Sequence, residues 1–276
     1  MIHLGFLLII TYLSIMLAIV YIKKDMSIGN FAWGGGVMLI AAYTFLANSA
    51  FLPRQILTTT LILIWGSRLA TYVYLRYKKG ADPRYIEWEN SWIEKIHQIS
   101  ILGKIISQTI PNQILRLAIS AGWIFGVNGF MMSIMALPIL AINLSTIPGL
   151  NEVDILGLVF WIIGFICESI ADFQLGTFMH NPANKGTILQ TGLWKYSRHP
   201  NYFGEIMMWW GIFLIALAVP SGIYTIITPL TITITLRFIT GVPWVEKVFD
   251  NNPAYQEYKK RTNTLIPWPA LRSKAQ

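Results

Sequence analysis

Gly192-Leu193-Trp194-Lys195-Tyr196-Ser197-Arg198-His199-Pro200-Asn201-Tyr202-Phe203-Gly204-Glu205 is the densest run of polar and aromatic residues in a chain that is otherwise mostly apolar. It leads into an apolar segment, and Asn201 and Glu205 continue into that segment. A loop that meets lipid headgroups would account for Arg198 and His199. It gives no reason for an amide and a carboxylate to run on into a membrane helix, where ionisable groups are costly and usually mark a site.

Outward from this stretch, composition sets the class. The 276 residues are 54% hydrophobic and 12% charged, with mean hydropathy +0.53; soluble domains carry roughly 25% charged residues. Segments able to cross about 30 Å of hydrocarbon fall at 2–22, 29–50, 56–77, 118–144, 154–174, 205–220 and 222–242. They are apolar all round, with Gly, Pro and Thr inside, and lack the alternation of barrel strands. Pro220-Ser221-Gly222 turns the last two into a hairpin. Lys23-Lys24-Asp25, rather than a small-residue cleavage site, follows the first, which is therefore a retained helix.

The net charge of +8 is spent on orientation. Lys23 and Lys24 follow the first segment, and Arg76, Lys78, Lys79, Arg84, Lys95, Lys104 and Arg116 lie between the third and fourth. Lys185, Lys195 and Arg198 separate the fifth and sixth, and Lys247, Lys259, Lys260, Arg261, Arg272 and Lys274 follow the seventh. The alternate loops hold only Arg54. Seven crossings with the N-terminus outside put each cluster on the cytoplasmic side. The expected fold is all-α integral membrane: one domain over 1–276, seven transmembrane helices, C-terminus cytoplasmic. Loop 78–117 is expected to carry an interfacial helix over Trp92–Ile106, its aromatic residues at headgroup depth. Region 175–205 and tail 243–276 complete the cytoplasmic face. Nucleic acid is excluded as a partner because orientation explains the basic residues. One cysteine, Cys167, and scattered His3, His97, His180 and His199 give no metal-ligand spacing.

Within the helices or at their inner ends remain Arg68, Glu168, Asp172, Glu205 and Arg237. Glu168 and Asp172 share a helix face and repel at membrane depth unless cations or donors face them. Arg68 and Arg237 are candidates for that role, either in a structural ion network or in a cytoplasm-facing cavity that grips an anionic ligand. The chain has neither GxGxxG after a strand nor GxxxxGK[ST], and Gly34-Gly35-Gly36 lies inside a membrane helix, where small residues allow close packing.

The stretch Gly192–Glu205 resembles the C-terminal signature of the steroid 5α-reductase superfamily, and the chain is similar to its bacterial membrane members of unknown function. The resemblance also takes in Trp65-Gly66-Ser67-Arg68, Asp82-Pro83-Arg84-Tyr85, Glu168-Ser169-Ile170-Ala171-Asp172 and Asn181-Pro182-Ala183-Asn184-Lys185-Gly186. It ends with Tyr255, Tyr258, Arg261 and Ile266-Pro267. It implies seven helices, an NADPH cavity, and hydride transfer to the β-carbon of an apolar, lipid-soluble enone in a bacterial inner membrane. The implied cofactor contacts are Asp172, Asn201, Glu205 and Arg237, with Arg68 by its place in the third helix. Glu168, Arg198, His199 and Tyr202 lie beside them. Tyr258 and Arg261 belong to the tail motif, where folding the tail and touching ligand are equal alternatives.

The family's Gln-Glu pair, which engages a steroid ketone, has no counterpart in Asn30–Tyr43. Tyr43 or Tyr85 is then the candidate proton donor, since a phenol of pKa about 10 stays protonated. Two other functions compete: an S-adenosylmethionine-dependent methyltransferase of the isoprenylcysteine or phospholipid type, which shares an Arg-His-Pro-x-Tyr motif, and a non-catalytic lipid-binding relative.

Overall fold

The computed structural model describes residues 2–77, 83–98 and 111–269. Helix is the regular structure throughout them, with one isolated bridge pairing Ser197 and Asn263 in parallel. The chain divides into two compact units, Met1–Thr146 and Ile147–Gln276.

The N-terminal unit contains α1 (Ile2–Lys23), α2 (Gly29–Asn48), α3 (Pro53–Tyr77), α4 (Pro83–Gln98) and α5 (Asn112–Asn143). The glycine triplet of α2 serves packing, one residue per neighbour. A Cβ on Gly34 would lie 2.8 Å from Leu69 of α3, on Gly35 2.3 Å from the Tyr12 hydroxyl of α1, and on Gly36 2.0 Å from Met132 of α5. Three helices thus reach the α2 backbone, which is what small residues permit where lipid offers no hydrophobic drive.

At the far ends of these helices, buried Asn143 donates to Thr44 Oγ1 at 2.9 Å and to the Ala41 carbonyl at 3.3 Å, while its own carbonyl accepts from Asn48 and Gln55. α5 contains a π-helical turn, Gly122–Asn128, closed by Asn128 Nδ2 donating to the Trp123 carbonyl at 3.0 Å. The expected interfacial helix starts nine residues earlier than Trp92, because Pro83 suits the first helical turn. Residues 99–106 of that expectation lie outside the described residues. Arg116 of α5 holds α4 through Glu89 and through Asn90 Oδ1, the latter at 3.0 Å.

The C-terminal unit contains α6 (Glu152–His180), α7 (Pro200–Ala216), α8 (Gly222–Val248, with a π turn at Thr235–Ile239) and α9 (Pro253–Arg261). Asn151 caps α6 reciprocally. Its side chain accepts from the Val153 and Asp154 amides, and Asp154 Oδ2 accepts from the Asn151 amide at 2.7 Å, a box whose cap residue is worth about 1 kcal/mol. α6 and α7 form an antiparallel pair on two glycine contacts seven residues apart. A Cβ on Gly157 would lie 2.6 Å from the Gly211 carbonyl oxygen, and a Cβ on Gly164 would lie 2.5 Å from that of Gly204. The backbones therefore touch, and any side chain there would part them.

Each of the seven expected apolar segments corresponds to a helix. Among the described residues four helices, Pro53–Leu75, Asn112–Asn143, Glu152–His180 and Gly222–Val248, are long and apolar enough to cross a membrane. An all-α integral membrane protein is the class these helices support.

Candidate functional site

The polar stretch that opened the sequence reading lies in the C-terminal unit and closes one end of the α6–α7 pair. Trp194 is buried there, its indole donating to the Ala171 carbonyl at 3.1 Å, and the Leu193 amide donates to Gln174 Oε1 at 3.0 Å. Gly192 makes that approach possible: its φ is +59°, and a Cβ would lie 2.3 Å from the Gln174 side chain. Pro200 then starts α7 in the position its fixed φ favours.

Four of the expected site residues meet on the facing surfaces of α6 and α7. Asn201 Nδ2 donates to Asp172 Oδ1 at 3.2 Å, and Asn201 Oδ1 accepts from the Tyr202 amide at 3.0 Å. One turn deeper, Glu168 and Glu205 are both buried. Glu168 emerges beside Gly204, whose absent Cβ would lie 2.6 Å from the Glu168 Cβ, and Glu205 Oε1 accepts from the Trp209 indole at 2.9 Å. Three carboxylates and an amide thus share two turns of an otherwise apolar helix pair.

Arg198 and His199 converge on Glu246 near the end of α8, a residue not among the expected site residues. Arg198 Nε donates to Glu246 Oε1 at 2.8 Å, His199 Nε2 lies 3.2 Å from the same oxygen, and Lys259 Nζ lies 2.9 Å from Oε2. The remaining Arg198 donors reach the Lys259 and Thr262 carbonyls and Thr264 Oγ1. His199 is 2% exposed. Burial holds its pKa below the usual value, outweighing the Glu246 carboxylate that would raise it, and Arg198 and Arg237 push in the same direction as burial. His199 is therefore a neutral imidazole that donates to Glu246. Its ring stacks on that of Tyr202, with centroids 5.3 Å apart and planes at 5°.

The tail is fastened to the same corner. Asn252 caps α9, Tyr258 is buried with its hydroxyl donating to the Trp194 and Ser197 carbonyls, and the Arg198 amide donates to the Asn263 carbonyl at 2.8 Å. Burial pushes the Tyr258 hydroxyl well above the ordinary phenol range, so it is a fixed donor. Tyr258 folds the tail down, and Arg261 bonds Gln190 Oε1 across the loop. Arg237 is half-buried on the π turn of α8, its guanidinium 5.0 Å from the Phe238 ring.

Three candidates belong to the N-terminal unit. Arg68 is half-buried on α3, Tyr43 packs against Gly5 of α1, and Tyr85 of α4 meets the Trp123 ring edge-on at 5.7 Å. Two cavities open beside the tail. One, of about 370 Å³, is lined by Gln190, Lys195, Tyr196, Tyr258 and Arg261; the other, of about 430 Å³, by Arg198, Lys259, Lys260, Asn263 and Trp268. Among the described residues no cluster of three or more His, Cys, Asp and Glu side chains could hold a metal ion.

Among known families, the model described as "Protein of unknown function (DUF1295)" matches residues 16–124 and 104–262. No curated protein and no solved structure matches the chain.

Proposed function

The chain belongs to the DUF1295 family, and from that premise we propose that it is a membrane-embedded, NADPH-dependent reductase of an apolar, steroid- or isoprenoid-like enone. Likeness to the steroid 5α-reductase superfamily, through the motifs quoted above, supports this reading of the family. Seven crossings of a bacterial inner membrane, N-terminus outside and C-terminus cytoplasmic, belong to the same proposal.

The observation that carries it is the Asp172–Asn201 pair with Glu168 and Glu205 buried one turn deeper. Acceptors and an amide inside an apolar helix pair suit the ribose hydroxyls and carboxamide of a nucleotide. Arg237, which has no ion pair among the described residues, leaves its guanidinium for a phosphate. Arg198 fits that role poorly, since its donors are taken by Glu246, two carbonyls and Thr264.

When bound, the cofactor would supply a hydride to the substrate's β-carbon. The chain's own part is to orient and to shield. Asn201 and Asp172 fix the polar end, the apolar faces of α6 and α7 exclude water, and protonation of the α-carbon completes the reduction. Purified full-length protein in detergent should show quenched tryptophan fluorescence and a raised Tm with NADPH but not with adenosine; no response to NADPH removes the reading.

The contact of Arg198 and His199 with Glu246 is the observation on the side of one second reading, the methyltransferase, which shares the Arg-His-Pro-x-Tyr motif; against it, proteins of that type carry a Glu-Glu pair after the last helix where this chain has Val245-Glu246-Lys247. Protection by S-adenosylhomocysteine in place of NADPH would select it. Response to neither would leave the lipid-binding relative.

A further inference from the structure

The cavity of about 370 Å³ beside the tail has two cations in its lining, Lys195 and Arg261, and no carboxylate. The nearby acids are engaged elsewhere: Glu246 with Arg198, His199 and Lys259, and Glu257 with Lys260. Lys195 Nζ lies 5.7 Å from the Tyr196 ring, and Arg261 commits one nitrogen to Gln190. Two positive charges therefore face one hollow without a countercharge. A phosphodiester, with one negative charge on two free oxygens, answers a guanidinium fork set beside an ammonium.

The rim says what the phosphate is attached to. Trp268 is 68% exposed and Ile266 60% exposed, next to Pro269, which lines both cavities. Their presentation is built in: Asn263 Nδ2 donates to the Trp268 carbonyl at 2.6 Å, and the Trp268 amide donates to the Ile266 carbonyl at 2.8 Å. Tryptophan and tyrosine favour headgroup depth, and basic side chains beside them read as contacts to anionic lipid. The second cavity continues the basic band through Lys259 and Lys260. A free phosphate would gain nothing from Trp268 or Ile266.

We propose that this corner of the C-terminal unit docks the phosphodiester headgroup of an anionic glycerophospholipid, with Lys195 and Arg261 on the phosphate and Trp268 and Ile266 against the glycerol and acyl boundary. The site stands apart from the reductase reading and needs no nucleotide.

The full-length protein in dodecylmaltoside would be titrated with phosphatidylglycerol, phosphatidylcholine, inorganic phosphate and NADP⁺, following Tm and lipid adducts by native mass spectrometry. Phosphatidylglycerol should raise the Tm and leave adducts at concentrations where the other three do neither. Lys195→Gln, a change to an exposed side chain that spares the fold, should weaken apparent affinity about fivefold, and Lys195→Gln with Arg261→Gln should weaken it further. Equal responses to the two lipids, or phosphatidylglycerol binding unchanged in Lys195→Gln, would overturn the proposal. So would inorganic phosphate or NADP⁺ acting at the same concentration as the lipid, which would make this a site for free phosphates.

Discussion

Replacing Glu246 with alanine tests the corner on which the polar stretch, α8 and the tail meet. Glu246 is 8% exposed and accepts from Arg198 at 2.8 Å, His199 at 3.2 Å and Lys259 at 2.9 Å. Removing it leaves Arg198, itself 8% exposed, as a buried cation without a countercharge. Breaking one side of a buried pair costs about 3–5 kcal/mol. Lys259 adds little, because its side chain is 38% exposed and water screens it. For chains of this size each kcal/mol is worth about 2–4 °C, so Tm in detergent should fall on the order of 10 °C. Hydrogen exchange over 253–266 should rise with it, because Arg198 holds the Lys259 and Thr262 carbonyls. Adding Arg198→Met to Glu246→Ala should recover part of the loss by removing the stranded charge. A Tm change under about 3 °C, or a double variant worse than Glu246→Ala alone, would refute the assignment of Glu246 as the hub.

Gly164→Ala should destabilise by about 1–3 kcal/mol or more, because its Cβ would lie 2.5 Å from the Gly204 carbonyl oxygen, a backbone atom that cannot swing aside; thermal unfolding beside the open-space control Gly176→Ala measures it. His199 binds its proton less readily folded than unfolded, so its contribution is complete above about pH 6.5 and drains away as pH falls through the lower folded value. Melting curves from pH 8 to 5 should lose stability on the acid side, and His199→Gln should flatten that limb. Asp172→Asn and Asn201→Ala should each weaken NADPH binding by about tenfold or more, about 1.4 kcal/mol for one lost hydrogen bond to a charged or oriented group, while Tm without ligand stays within about 3 °C.

What the sequence could say follows from how local each signal is. Apolar runs are local, so the cores of the seven helices that answer to the seven apolar segments were legible, from Ile2–Lys23 to Gly222–Val248. Boundaries were less so: α6 extends to His180 and α7 starts at Pro200 rather than 205, because Gly176, Thr177 and His180, and Pro200 and Asn201, sit on helix turns that hydropathy alone discounts. Glu246 lies next to Lys247 in sequence, and nothing local marks it as buried. Its true partners stand 47 and 48 residues back, a distance that no periodicity spans. The contacts of Gly157 with Gly211 and Gly164 with Gly204 were readable in principle, since each helix repeats glycine at seven residues. The Asp172–Asn201 contact was implicit in the motif, although only the folded hairpin joins its two halves.

The central claim is that the carboxylates and amide on the facing surfaces of α6 and α7 serve a nucleotide. Native mass spectrometry of the purified full-length chain with equimolar NADPH, NADP⁺ and S-adenosylhomocysteine tests it most directly. The account predicts one NADP(H) per chain, lost in Asn201→Ala and in Arg237→Ala. An S-adenosylhomocysteine adduct instead, or an NADP(H) adduct untouched by both substitutions, would contradict it.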